Sequence, residues 1–122
     1  DEPKNAFVAD FIGESNILSG IMRADRLVEM LGVEFPCVDE GFGKDEPVDV
    51  VVRPEDIEVV PAADGMLTGT VESVIFKGVH YEMMIDTGDM RWKVHSTAMQ
   101  PAGSRVGLHI VPFNIHIMHK EA

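Results

Sequence analysis

Ten short apolar stretches, parted by Gly, Pro, Asn and Asp, constrain this chain more than any other feature. They fall at residues 17–22, 26–31, 33–38, 48–52, 57–60, 67–76, 79–86, 90–96, 106–111 and 115–118. Such stretches are too short for most helices, and many alternate apolar with polar, the period of a strand with one buried face. Short strands at this spacing fold into barrels or stacked sheets, which deal with exposed strand edges by closure. No recurrent strand-helix-strand rhythm of about 30 residues appears, so a parallel α/β sheet is excluded. The expectation is an all-β chain with one exception at its start. There Asn5 can cap a short N-terminal helix whose Phe7, Val8, Phe11 and Ile12 share a face and which Gly13 stops.

The clearest local unit is residues 79–96. Val79, Tyr81, Met83 and Ile85 lie on one face of its first strand, and Met90, Trp92 and Val94 on one face of its second. A two-residue turn at Thr87 and Gly88 predicts Met83 opposite Trp92 and Glu82 opposite Lys93; a longer turn using Asp86 and Asp89 is the alternative.

Charge narrows the function classes. The net charge is −11, from 10 Lys+Arg against 21 Asp+Glu, and 16 of those acids lie in residues 1–64. Nucleic acid draws its partners' Lys and Arg onto phosphates, so it is not an expected partner of this chain. An acidic half suits a cation. The single cysteine, Cys37, forms no internal disulfide and reads as a buried structural thiol. No apolar run approaches the roughly 20 residues of a membrane-spanning helix.

Catalytic motifs are missing from the sequence. It contains no Gly-x-x-x-x-Gly-Lys-Ser/Thr phosphate loop, no Gly-x-Gly-x-x-Gly and no Gly-x-Ser-x-Gly. The chain by itself is not expected to be an enzyme, and no catalytic, cofactor-binding or metal-ligating residue is assigned. Of its five histidines, His116 and His119 point to opposite sides of a strand. His80 and His95 fall opposite one another in the expected hairpin, the one place left open for a weak transition-metal site. The eight methionines read as core filler.

Two segments carry a resemblance. Residues 3–16, PKNAFVADFIGESN, resemble the join between the nucleotide-binding and C-terminal regulatory domains in ATP-binding subunits of ABC importers. Within them Phe7, Phe11, Ile12, Gly13, Glu14 and Asn16 form the junction motif. Residues 52–57, VRPEDI, resemble the signature of that regulatory domain, the transport-associated OB (TOBE) module, with Arg53, Pro54, Glu55 and Asp56 as its centre. GTV at 69–71, FKG at 76–78, VGLHIVP at 106–112 and IHIM at 115–118 match in order. Where the family commonly has a Trp near the last strand, this chain has Val111, Pro112 and Phe113.

The resemblance implies an OB-fold-like barrel with a short N-terminal helix. Residues 1–15 would join it to a missing ATPase domain, and residues 16–122 would be the regulatory domain. It implies no cofactor in these residues, with ATP and Mg held by the missing domain of the parent chain. It implies a homodimer, permease subunits as partners through the parent chain, and a peripheral place on the cytoplasmic face of the membrane. Residues 11–16, FIGESN, are most like the polyamine (spermidine/putrescine) branch, which makes a polyamine a candidate ligand. The alternative is a small-ligand-sensing OB-like domain of an iron(III), sulfate or sugar importer ATPase.

The residues themselves read Arg53, Pro54, Glu55 and Asp56 as a structural corner. Pro54 ends a strand by removing a donor and fixing φ. Glu55 and Asp56 suit the start of a helical turn, and Arg53 is expected to pair with a carboxylate.

Overall fold

The structure, a computed structural model, describes residues 14–120. The expected N-terminal helix, with Phe7, Phe11, Ile12 and Gly13, lies outside the described residues. Ten strands run in order: β1 (Asn16–Ala24), β2 (Leu27–Met30), β3 (Val33–Pro36), β4 (Glu46–Val52), β5 (Glu58–Val60), β6 (Leu67–Phe76), β7 (Tyr81–Asp86), β8 (Arg91–Ser96), β9 (Arg105–His109) and β10 (His116–His119). Single 3₁₀ turns occupy Pro54–Asp56, Ala62–Asp64 and Pro112–Asn114. Each strand falls on one of the ten apolar stretches, so the described part of the chain is all-β.

The chain divides into two compact units: Asp1–Val52 with Val111–Ala122, and Arg53–Ile110. The first holds an antiparallel sheet in the order β10-β4-β1-β2-β3. Period-2 alternation buries Val48, Val50 and Val52 of β4 together with Met22, Val28, Met30 and Phe35. Asn16, the only buried polar residue among those described, donates from Nδ2 to the Val52 carbonyl at 3.3 Å. That bond satisfies a group whose burial would otherwise be costly. The β2–β3 hairpin turns through Leu31 and Gly32, both at positive φ (54° and 75°), which suits the right-handed twist of the strands.

The second unit holds an antiparallel sheet in the order β5-β9-β6-β7-β8. Trp92, Met83, Ile85, Val94 and Leu108 are buried in it. Glycine is obligatory at one crossing. A Cβ on Gly65 would sit 2.5 Å from Gly107 Cα, and one on Gly107 would sit 2.7 Å from the Pro61 carbonyl oxygen. The turn after Ala62–Asp64 therefore lies directly on β9, with Met66 N–H donating to the Leu108 carbonyl at 2.8 Å.

The expected register of the β7–β8 hairpin is corrected. Its loop is four residues, 87–90, and it places Glu82 opposite His95, Met83 opposite Val94 and Ile85 opposite Trp92. Side chains at the turn cause the change. Asp86 Oδ1 accepts from Gly88 N–H at 2.8 Å, and Thr87 donates to the Met90 carbonyl from both N (2.9 Å) and Oγ1 (3.1 Å). Trp92 Nε1 then donates to Thr87 Oγ1 at 3.1 Å. The register moved by two residues, so every side chain kept its face and only its partner changed.

Candidate functional site

The signature residues 52–57 mark the place where the chain passes from the first unit to the second. Pro54 is buried and opens the 3₁₀ turn, and Asp56 N–H donates to the Arg53 carbonyl at 3.0 Å. Proline at the first helical position gives up a donor that would have no partner there. Among the described residues Arg53 makes no ion pair; its side chain is exposed, and the main chain closes the corner. The carboxylate expected to hold Arg53 is thus replaced by a backbone bond. Of the junction motif, Glu14 is exposed and Asn16 begins β1.

The same turn forms one wall of an open cleft of about 710 Å³ in the second unit. The sheet order leaves β5 and β8 as its two edge strands. Glu55, from the turn, and Glu58, from β5, line one wall together with Ile57 and Val59. His95 and Ser96 at the end of β8, followed by Thr97, line the other side together with His80.

Two imidazoles meet at this cleft. The His80 and His95 rings lie 4.2 Å apart between centroids, inclined by 32°. His95 Nε2 lies 3.1 Å from Glu82 Oε1, and both side chains are largely buried. The hydrogen bond from His95 holds the Glu82 carboxyl below the usual carboxylate range, against the opposing effect of its partial burial, and Lys77 and Lys93 assist. Glu58 Oε1 is 2.9 Å from His109 Nδ1 on the neighbouring strand β9. The pairing of His80 with His95 was legible in the sequence even though the shorter turn was read first. Glu58, Ser96 and Thr97 were missed, because each becomes part of a site only when β5 and β8 are edges of one sheet.

Ser96 Oγ accepts from Ala98 N–H at 3.1 Å, and His95 is turned onto Glu82. Carboxylates, hydroxyls and imidazoles around an apolar strip fit a small ligand that donates hydrogen bonds and carries positive charge.

The first unit likewise pairs its polar groups internally. Arg23 meets Glu29 and Asp45, each at 2.9 Å, and these bonds raise its pKa further. Lys120 Nζ donates to Asp49 (2.8 Å) and Ser19 (3.0 Å). Glu46 accepts from Gly43 N–H at 2.8 Å and lies 3.0 Å from His119 Nδ1, and these bonds lower its pKa in that order. Burial pushes the Cys37 thiol up, which fits an inert core group.

Comparison with known proteins follows the same lines. The TOBE domain family matches residues 50–118, more than half of the chain. The chain is 61% identical over 120 residues to the spermidine/putrescine import ATP-binding protein PotA of Desulfitobacterium hafniense (strain Y51), covering 98% of this chain and 34% of that protein. It is 57% identical over 120 residues to the protein of the same name from Clostridium novyi (strain NT), covering 98% and 35%. The chain thus spans about a third of the length of these curated relatives. Among solved structures, the cytoplasmic molybdate-binding protein ModG with molybdate bound superimposes with a TM-score of 0.70 at 17% identity, covering 85% of this chain and 95% of that one. At that identity the likeness is one of fold, and the fold it supports is the OB-like one.

Proposed function

Since this chain belongs to the TOBE domain family, we propose that it is the C-terminal regulatory and dimerisation domain of the ATP-binding subunit of a spermidine/putrescine ABC importer. The observation that carries this reading is identity of 61% and 57% to PotA proteins across nearly the whole chain. In that setting residues 1–15 lead in from an ATPase domain, which binds ATP and Mg and hydrolyses the nucleotide. The domain itself performs no chemistry; it pairs with its twin and adjusts the subunit's activity. The subunit works peripherally at the cytoplasmic face of the membrane with permease partners. No helix among the described residues is long and apolar enough to cross a membrane.

The cleft of the second unit supports a ligand-sensing role within this reading. Glu55 and Glu58 favour a polyamine cation over an oxyanion, since like charges repel. Calorimetric titration of the chain with spermidine and putrescine, repeated at raised salt, tests this. Saturable heat that persists at about 0.5 M salt and is lost in a Glu55→Gln, Glu58→Gln double variant is expected. Heat that salt abolishes altogether marks diffuse attraction to an acidic surface and overturns the sensing role.

A further inference from the structure

The family-like segment FKG at 76–78 lies at the tip of the β6–β7 hairpin, where the cleft makes no use of it. Gly78, at φ 95°, opens a two-residue turn with Val79, the glycine-first form that matches strand twist. Around it Val79 is 80% exposed, Phe76 59% and Ile75 52%. Ile75 and Phe76 lie on the two faces of the end of β6 and Val79 in the turn beyond it, so the exposed apolar groups flank one strand edge.

The main chain beside them is also open. Strand β9 pairs with β6 only from Leu67 to Thr70, and Val71 then closes that contact through Ser104 and Gly103. Beyond Val71 only β7 pairs with β6 among the described residues. Lys77 N–H donates to the His80 carbonyl at 2.8 Å, which makes Lys77 and His80 a hydrogen-bonded pair. Antiparallel pairs alternate, so Ile75 and Ser73 also bond toward β7, and the amides and carbonyls of Val74 and Phe76 point away from it. An exposed apolar edge with outward donors and acceptors is a template for another strand.

We propose that a second copy of this chain pairs here, antiparallel, about a two-fold axis at Ile75. Each copy's Val74 then faces its partner's Phe76, the two residues whose main-chain groups point outward, and the contact closes on itself. Charge favours this occupant. In a chain of net charge −11, residues 73–81 carry a single formal charge, Lys77. In this register Lys77 faces Ser73 and Glu72 faces Gly78, so no carboxylate meets another. The proposal deepens the self-pairing part of the proposed function by naming its surface, and it rests on that part alone.

Sedimentation of the chain and of an Ile75→Lys variant, with disulfide trapping of Ile75→Cys and Val79→Cys variants, tests it. Position 75 is exposed, so folding of each variant can be verified by circular dichroism. At the axis two copies of residue 75 are strand neighbours, whereas two copies of residue 79 are roughly 25 Å apart. We expect Ile75→Cys to cross-link and Val79→Cys not to, and Ile75→Lys to weaken association at least about tenfold. A dimer that Ile75→Lys leaves intact, with Ile75→Cys cross-linking no faster than Val79→Cys, overturns this surface while the self-pairing reading stands. A chain that is monomeric throughout, with no Ile75→Cys cross-link, overturns both.

Discussion

Each unit holds a five-stranded antiparallel sheet and pairs many of its polar side chains internally, but in the second some of those same groups also line a cleft. In the first, Arg23, Lys120, His119 and Glu46 are turned onto neighbours within the sheet, and Asn16 ties β1 to β4. In the second, Glu58 with His109, Glu82 with His95 and Glu72 with Arg91 tie strands likewise, close main-chain contact at Gly65 and Gly107 adds to them, and Glu55, Glu58, His80 and His95 line a cleft. Large apolar side chains are exposed in both units, Phe113 and Val38 in the first and Ile75, Phe76 and Val79 in the second. The cleft and the open strand edge are why we propose recognition in the second unit, although the sequence concentrates acid in residues 1–64.

Substitutions can break this contrast. Trp92→Ala should cost the most, about 3–5 kcal/mol, because a fully buried indole leaves a cavity and its bond to Thr87 Oγ1 is lost. Denaturant unfolding followed by far-ultraviolet circular dichroism measures it, since Trp92 is the only tryptophan. A loss under about 1 kcal/mol would show that the second unit does not depend on its packing. Gly107→Ala should cost about 2–3 kcal/mol, because the new methyl meets backbone rather than a side chain that can move. A neutral Gly107→Ala would remove the close main-chain contact from the account.

The smallest effects concern acid. Glu46 in the first unit and Glu82 in the second both have folded pKa values below those of the unfolded chain. Each therefore adds stability that is complete above the ordinary carboxylate value, about 4.3, and is lost as pH falls through the lower folded value. Glu82→Gln should flatten the fall in melting temperature on acidification below about pH 4.5, and Glu46→Gln should do so too. Glu82 is the more enclosed of the two, with 15% of its side chain exposed against 31%, so screening is weaker and the Gln change should be larger there. Equal or reversed effects would deny the difference between the units.

Much of the fold was legible because alternation and turn residues are local signals. Strand β6 was read with its observed ends, Leu67 and Phe76, and Pro54 marked its turn. The β7–β8 register was read with the shorter turn first and the longer one as alternative; alternation is the same for both, and the side chains of Asp86 and Thr87 decide for the longer. The division into two units was not legible, because it depends on β10 at the far end of the chain pairing with β4. Arg53 invited an ion pair because its neighbours are acidic, yet the turn's own main chain already closed the corner. The cleft shows the same limit. His80 and His95 are close in sequence and could be paired, whereas Glu58 reaches them only through the order of the finished sheet.

The central claim, that this domain regulates an importer ATPase without supplying its chemistry, is tested most directly in the longer subunit that carries it. ATP hydrolysis by that subunit, assembled with its permease partners, would be measured with and without these 122 residues across a spermidine titration. The account predicts that hydrolysis survives the deletion while its response to spermidine disappears. Loss of hydrolysis with an intact ATPase domain, or an undiminished spermidine response, would contradict it.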